Sequence, residues 1–247
     1  MTPPRTKVAA AADQLVARAA LLAGAGTGAV TALALALQSV LGLGAGYPVR
    51  VALVSVGVLL VALAGLRHHH PFARVGPANL VTGARALLVA LLAAVALEPT
   101  GHALGWWLVA TATLAASLDL ADGWLARSTQ LASAFGARFD MEVDALLILV
   151  LSVLVWRAGL TGPWVLASGL MRYAFAAVAL ALPWMHRALP PSRRRQTICV
   201  VQIAALIATL APIVPPLVAL ALAAVSLALL TWSFAVDVAW LVSARRT

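Results

Sequence analysis

"DLADGWLARSTQLASAFGARFDMEVD", residues 119–144, holds five of the eight acidic residues in the chain: Asp119, Asp122, Asp140, Glu142 and Asp144. On a helix each residue advances by about 100°. Asp119, Asp122, Gly123, Ala126 and Arg127 then share an arc of roughly 140° on one helix. Gly136, Asp140 and Asp144 are spaced by four on the next, drifting by only about 40° per step, and Glu142 points elsewhere. The spacing therefore predicts two helices joined by the turn "STQLASA", each presenting two carboxylates along one stripe. Gly123, Ala126 and Gly136 lie on the same stripes, where small residues let helices approach and leave room for a ligand.

Facing carboxylates in a low-dielectric setting repel one another and take up protons unless something positive sits among them. Hard oxygen ligands on a rigid frame suit Mg²⁺, and a pair of such ions suits phosphoryl chemistry. The plainer reading is a set of structural ion pairs, Asp119 or Asp122 with Arg127 or Arg138. That accounts for two acids and leaves two.

The medium is legible from composition. Of 247 residues, 63% are hydrophobic and 10% charged, and the mean hydropathy is +1.00. Soluble domains carry about 25% charged residues. Residues 19–49, 51–66, 99–118 and 196–236 hold no Asp, Glu, Lys or Arg. A spanning helix needs roughly 17–25 mostly apolar residues. Spans are expected near 18–42, 50–66, 80–98, 103–122, 138–157, 161–182, 197–213 and 216–237, with Pro212, Pro215 and Pro216 dividing the last long run. The fold class is all-α, a polytopic integral membrane protein.

With the N-terminus in the cytoplasm, the inner segments hold Arg5, Lys7, Arg67, Arg74, Arg127, Arg187, Arg193, Arg194, Arg195, Arg245 and Arg246. The outer loops hold Arg50 and Arg157. This positive-inside bias places both termini and the acidic stretch on the cytoplasmic side. It also explains most of the net charge of +9, which favours anionic membrane lipids. The basic residues are scattered over short loops, so no nucleic-acid partner is expected. Asp13 and Arg18 precede an apolar run too long for a signal peptide. The lone Cys199 excludes an internal disulfide and reads as a small buried hydrophobe.

The residues Asp119-x2-Asp122-Gly123-x2-Ala126-Arg127-x8-Gly136-x3-Asp140-x3-Asp144 resemble the signature of the CDP-alcohol phosphotransferase family, with all eight positions present. "PANLVTGAR", with Asn79, Thr82 and Arg85, is similar to the N-x2-T-x2-R start of that family's first core helix. "SRRRQTICVVQ" is similar to the basic segment opening the fifth core helix of the phosphatidylglycerophosphate synthases. Arg193, Arg194, Arg195, Thr197 and Gln202 stand in that region, with Arg where Lys is usual and without the usual Gly. The resemblance covers about residues 77–237 and divides the chain. Residues 1–76 would be an N-terminal segment with two added transmembrane helices, and residues 77–247 a six-helix catalytic core with a short cytoplasmic tail.

The resemblance implies two metal ions, Mg²⁺ or alternatively Mn²⁺, on the diphosphate of a CDP-linked donor. Asp119, Asp122 and Asp140 would hold one ion, and Asp119, Asp140 and Asp144 the other, with Asp144 also the general base. Gly123, Ala126, Arg127, Ser133 and Gly136, with Asn79 and Thr82, would bind the donor. A homodimer is a further possibility that the family brings.

Arg172 lies inside the apolar run "SGLMRYAF", where a charge is usually functional or paired. It is expected, with Arg193, Arg194 and Arg195, to bind an acceptor phosphate through fork-shaped guanidinium donors. His68, His69 and His70, with no matching carboxylates, read as solvated interface. Arg138 reads as a headgroup anchor, and the eight Trp residues fit interfacial belts. Asp13 and Asp237 are expected at helix ends, and Glu98 with His102 in an outer turn.

The expected function is a phosphatidyltransferase in the cell membrane, its active site facing the cytoplasm. It would take CDP-diacylglycerol and a small polyol phosphate such as glycerol 3-phosphate, and release CMP in phospholipid biosynthesis. Inositol phosphate or another alcohol is the alternative acceptor. A membrane prenyltransferase would need a second Asp-rich motif, which the chain lacks. A transporter or non-catalytic scaffold would not need every ligand intact.

Overall fold

The computed structural model describes residues 5–69, 76–98, 102–128, 133–187 and 189–245. Regular structure among them is helical: α1 (Arg5–Leu41), α2 (Tyr47–His69), α3 (Pro77–Ala94), α4 (His102–Ser128), α5 (Ala134–Arg157), α6 (Ala167–Ala181), α7 (Arg193–Leu210) and α8 (Pro216–Arg245). The protein is an all-α polytopic membrane protein. The stretches 14–41, 47–66, 77–97, 163–181 and 216–245 are long and apolar enough to cross a bilayer. The remaining three helices carry charge clusters: acids on α4 and α5, and Arg193, Arg194 and Arg195 on α7.

Helix order follows the sequence reading, and the edges depart from it. α1 begins at Arg5 rather than near residue 18, and α8 runs to Arg245 rather than 237. Hydropathy marks the part of a helix that suits hydrocarbon. The Ala-rich segment before residue 18 and the end of α8 are good helix formers that continue past it.

The chain forms two compact units, Met1–Pro99 with Thr111–Asp144, and Thr100–Ala110 with Ala145–Thr247. In the first, α1 and α2 make a hairpin. Gly42, at φ 64°, supplies the left-handed residue that ends α1, and the Leu43 N–H returns to the Gln38 carbonyl at 3.0 Å. α2 is clasped to α3 at one end. Tyr47 Oη donates to the Leu91 carbonyl at 3.2 Å and Arg50 Nε to the Ala94 carbonyl at 3.1 Å. Arg50 also pairs with Glu98, which accepts the Gly44 N–H at 2.9 Å. Glu98 lies in the bend that follows the 3-10 turn Val95–Leu97, and there it is a buried tether rather than a solvated turn residue. The side chain of His102 lies outside the described residues. Towards the other end of the hairpin, Leu15, Ala19 and Leu66 pack on Phe135 of α5, which stacks on Phe139 with centroids 5.8 Å apart.

In the second unit α7 and α8 form a hairpin broken where the prolines predict. α8 buries Ala219, Ala223, Ser226, Leu230, Ser233, Asp237 and Leu241, a three-four spacing that makes one helical face. Asp237 is therefore not a helix-end residue. It lies inside α8 on the buried face, paired with Arg194 and, at 3.2 Å, with Arg195. The expectation failed because a charge in an apolar run was read without its partner. Cys199 is half-buried rather than fully buried.

Candidate active site

The site is built on α3, α4 and α5. Pro77 stands in the first turn of α3 after an extended Gly76, a position where its missing N–H costs nothing. The N-x2-T-x2-R spacing then turns Asn79, Thr82 and Arg85 inward, and all three are buried. Thr82 Oγ1 donates back to the Ala78 carbonyl at 3.0 Å. At the start of α5, Ser133 is the N-cap: its Oγ accepts the Gly136 N–H at 3.0 Å.

Asp119 of α4 converges with Asp140 and Asp144 of α5. One carboxylate oxygen from each lies within 4.8 Å of the others. Glu142 is exposed, off this stripe. At their centre is Arg85, whose side chain is 1% exposed. Its Nη1 is 2.9 Å from Asp119 Oδ1 and also pairs with Asp140. Its Nη2 donates to Asp144 Oδ1 at 2.5 Å, and its Nε donates to the Ala115 carbonyl at 3.1 Å. Three carboxylates thus gather on one guanidinium. Oxygens that share a Mg²⁺ at ~2.0–2.1 Å lie at most about 4.2 Å apart. The 4.8 Å spread of this cluster is close to that limit, so a small closure of the carboxylates would bring them onto one divalent ion as oxygen ligands.

Three of the expected donor residues also come together. A Cβ on Gly136 would stand 2.6 Å from Asn79 Oδ1 and 3.3 Å from Ser133 Oγ. A side chain at this position would thus displace the Asn79 amide. The side chains of residues 120–132, including Asp122, Ala126 and Arg127, and Gly123 with them, lie outside the described residues.

Of the expected acceptor residues, Arg172 is half-buried on α6. Ser168, one turn earlier on the same face, accepts a hydrogen bond from Gln202 Nε2 of α7 at 3.2 Å. Arg193 is exposed, and Arg194 and Arg195 are half-buried. Arg194 lies over the Trp232 ring at 5.6 Å. Asp237, with Trp232 beneath Arg194, thus holds the Arg194 and Arg195 guanidinium groups in place.

Sequence reasoning missed Arg85 as a member of the acid cluster. The signal was present, since Arg85 interrupts the apolar run of α3 as Arg172 interrupts that of α6, and an intramembrane charge implies a partner. The sequence offers Arg127 and Arg138 as ion-pair partners for these acids. Arg138 is exposed, and the cation seen among the described residues is Arg85.

The family model described as CDP-alcohol phosphatidyltransferase matches residues 75–236, about two-thirds of the chain. The chain belongs to the CDP-alcohol phosphatidyltransferase family. It is a transferase of substituted phosphate groups, moving a phosphatidyl group from a CDP-alcohol to an alcohol acceptor. The family generally depends on a divalent metal. No curated protein and no solved structure matches the chain.

Proposed function

We propose that the protein moves a phosphatidyl group from CDP-diacylglycerol to a hydroxyl of glycerol 3-phosphate and releases CMP. The observation that carries this reading is the convergence of Asp119, Asp140 and Asp144 around Arg85, within a chain of this family. Asp119, Asp122, Asp140 and Asp144 are the residues to hold two Mg²⁺ ions. Divalent ions held there would supply positive charge to offset the diphosphate charge that builds as CMP departs.

The chain's own residues supply the rest. Asn79, Ser133 and Gly136 form one contact region suited to the donor, joined by Thr82, Gly123, Ala126 and Arg127 of the signature. Asp144 accepts the proton of the attacking acceptor hydroxyl. Arg172, with Arg193, Arg194 and Arg195, grips the acceptor phosphate. Asp237 supports this by fixing two of these guanidinium groups in advance, which lowers the ordering cost of binding. The active site faces the cytoplasm of a cell membrane. Residues 77–247 act as the catalytic core, residues 1–76 as an added segment, and the protein works as a homodimer.

The test is purified protein with radiolabelled CDP-diacylglycerol, Mg²⁺ and a panel of acceptors, following CMP and lipid product together. Glycerol 3-phosphate should give both. Product with inositol phosphate or another alcohol in its place would keep the chemistry and replace the acceptor. CMP release with no lipid product would contradict the reading.

A further inference from the structure

A partly open pocket of about 250 Å³ lies within the first unit, between α1, α2, α3 and the start of α5. Ala23 and Gly26 of α1, Ala62 of α2, Gly83 of α3 and Phe139 of α5 help to line it. Every lining side chain is apolar except Asn79. We propose that this pocket takes one hydrocarbon chain of the lipid-linked CDP donor, and that the α1–α2 hairpin is the wall that selects the chain. The proposal rests on the lipid-linked donor of the preceding subsection and gives the hairpin a task in it.

Three observations carry it. The first is size and chemistry. An apolar cavity of ~150 Å³ stays dry and binds benzene, so 250 Å³ on the same scale holds roughly ten carbons. A water there would find one polar side chain, where it needs about two to four partners.

The second is continuity. Asn79, the single polar group of the lining, is the side chain that lies against Gly136 beside Ser133. Phe139, at the apolar wall, is the sequence neighbour of Asp140. The polar end of the pocket is therefore the donor region, and a molecule with a charged head and a hydrocarbon tail suits both.

The third is that the walls are held in place. Arg50 and Glu98 clasp the hairpin to α3 at one end, and Leu15, Ala19 and Leu66 pack on Phe135 near the other. The space itself is kept by missing side chains. A Cβ on Gly83 would meet nothing within 4 Å, so a side chain can begin there, at the pocket wall, without displacing a neighbour.

Gly83→Leu is the direct test. With CDP-dipalmitoylglycerol its kcat/KM should fall by about 10-fold or more, the scale on which a pocket discriminates by a few methylenes. With CDP-dibutyrylglycerol, whose acyl chains are too short to fill the pocket, it should stay within about 2-fold of wild type, which also shows that the variant folds. A CDP-diacylglycerol carrying a diazirine on one acyl chain should label the 59–66 segment of α2. Gly83→Leu or excess CDP-dipalmitoylglycerol should suppress that labelling. Equal loss with both donors would overturn the proposal. So would labelling of the same segment by a diazirine phosphatidylcholine that excess CDP-donor does not displace, because the pocket would then hold bulk lipid. If wild-type protein released no CMP from either donor, the functional reading would fall, and the photolabelling would still decide what the pocket binds.

Discussion

Arg85 on α3 donates from Nη2 to the Asp144 carboxylate on α5 across 2.5 Å. The same guanidinium also binds Asp119 and Asp140, so one buried side chain sets the separation of the acids on two other helices. Its planar fork, which Lys lacks, makes this possible. The acids of α4 and α5 are thus held close together by a residue of α3.

Replacing Arg85 should therefore damage the metal-free protein more than the metal-loaded one. Breaking a fully buried ion pair costs about 3–5 kcal/mol. The Asp side chains here are 21–34% exposed, which reduces the expected loss for Arg85→Ala to about 1–3 kcal/mol. Thermal unfolding in EDTA and in excess Mg²⁺ checks this. The midpoint should fall in EDTA and recover largely with Mg²⁺. An equal drop in both would make Arg85 a packing residue.

Gly136→Ala should separate donor binding from metal binding. Its Cβ would stand 2.6 Å from Asn79 Oδ1, so the Asn79 side chain must move. Displacement of a positioning group by about 1 Å can cost 10²-fold. A fall of roughly 10- to 100-fold in kcat/KM for the CDP donor is expected, with Mn²⁺ affinity close to wild type. Unchanged donor kinetics would detach Asn79 from the donor.

Asp144→Asn keeps the shape of the side chain and an oxygen for Arg85, but its amide cannot take a proton at neutral pH. Loss of a general base typically costs about 10²–10⁴-fold in rate. Donor binding, followed by calorimetric titration of CDP-diacylglycerol, should survive in part. Turnover near the wild-type rate would place the base elsewhere.

Arg172→Ala should raise the acceptor KM, most for phosphorylated acceptors. A charge-assisted hydrogen bond contributes about 1.5–3 kcal/mol, which corresponds to roughly 10- to 100-fold. Steady-state kinetics with glycerol 3-phosphate and glycerol measure the difference. An equal effect on both would remove the anionic acceptor.

What could be read from the sequence was what repeats along one helix. The four-residue spacing of Gly136, Asp140 and Asp144 places them on one stripe wherever the helix lies, and the prolines at 212–216 stop α7 for reasons local to the backbone. What escaped was pairing between helices. Arg85 with Asp144, Arg50 with Glu98 and Arg194 with Asp237 each join residues more than forty positions apart, and no local periodicity reports such a meeting. The rule that a charge in an apolar run has a partner applies to Arg85 and Asp237 as it does to Arg172. It says that a partner exists and not which one.

The central claim is that Asp119, Asp140 and Asp144 form a divalent-metal site that drives transfer from a CDP-lipid. The most direct measurement titrates Mn²⁺ into wild-type protein and Asp140→Asn, and follows CMP release from CDP-diacylglycerol in the same samples. Wild type should bind Mn²⁺ saturably and release CMP only with a divalent ion present. Asp140→Asn should lose both together, the rate falling at least about 10²-fold. Full turnover in excess EDTA, or wild-type turnover by Asp140→Asn, would contradict the account.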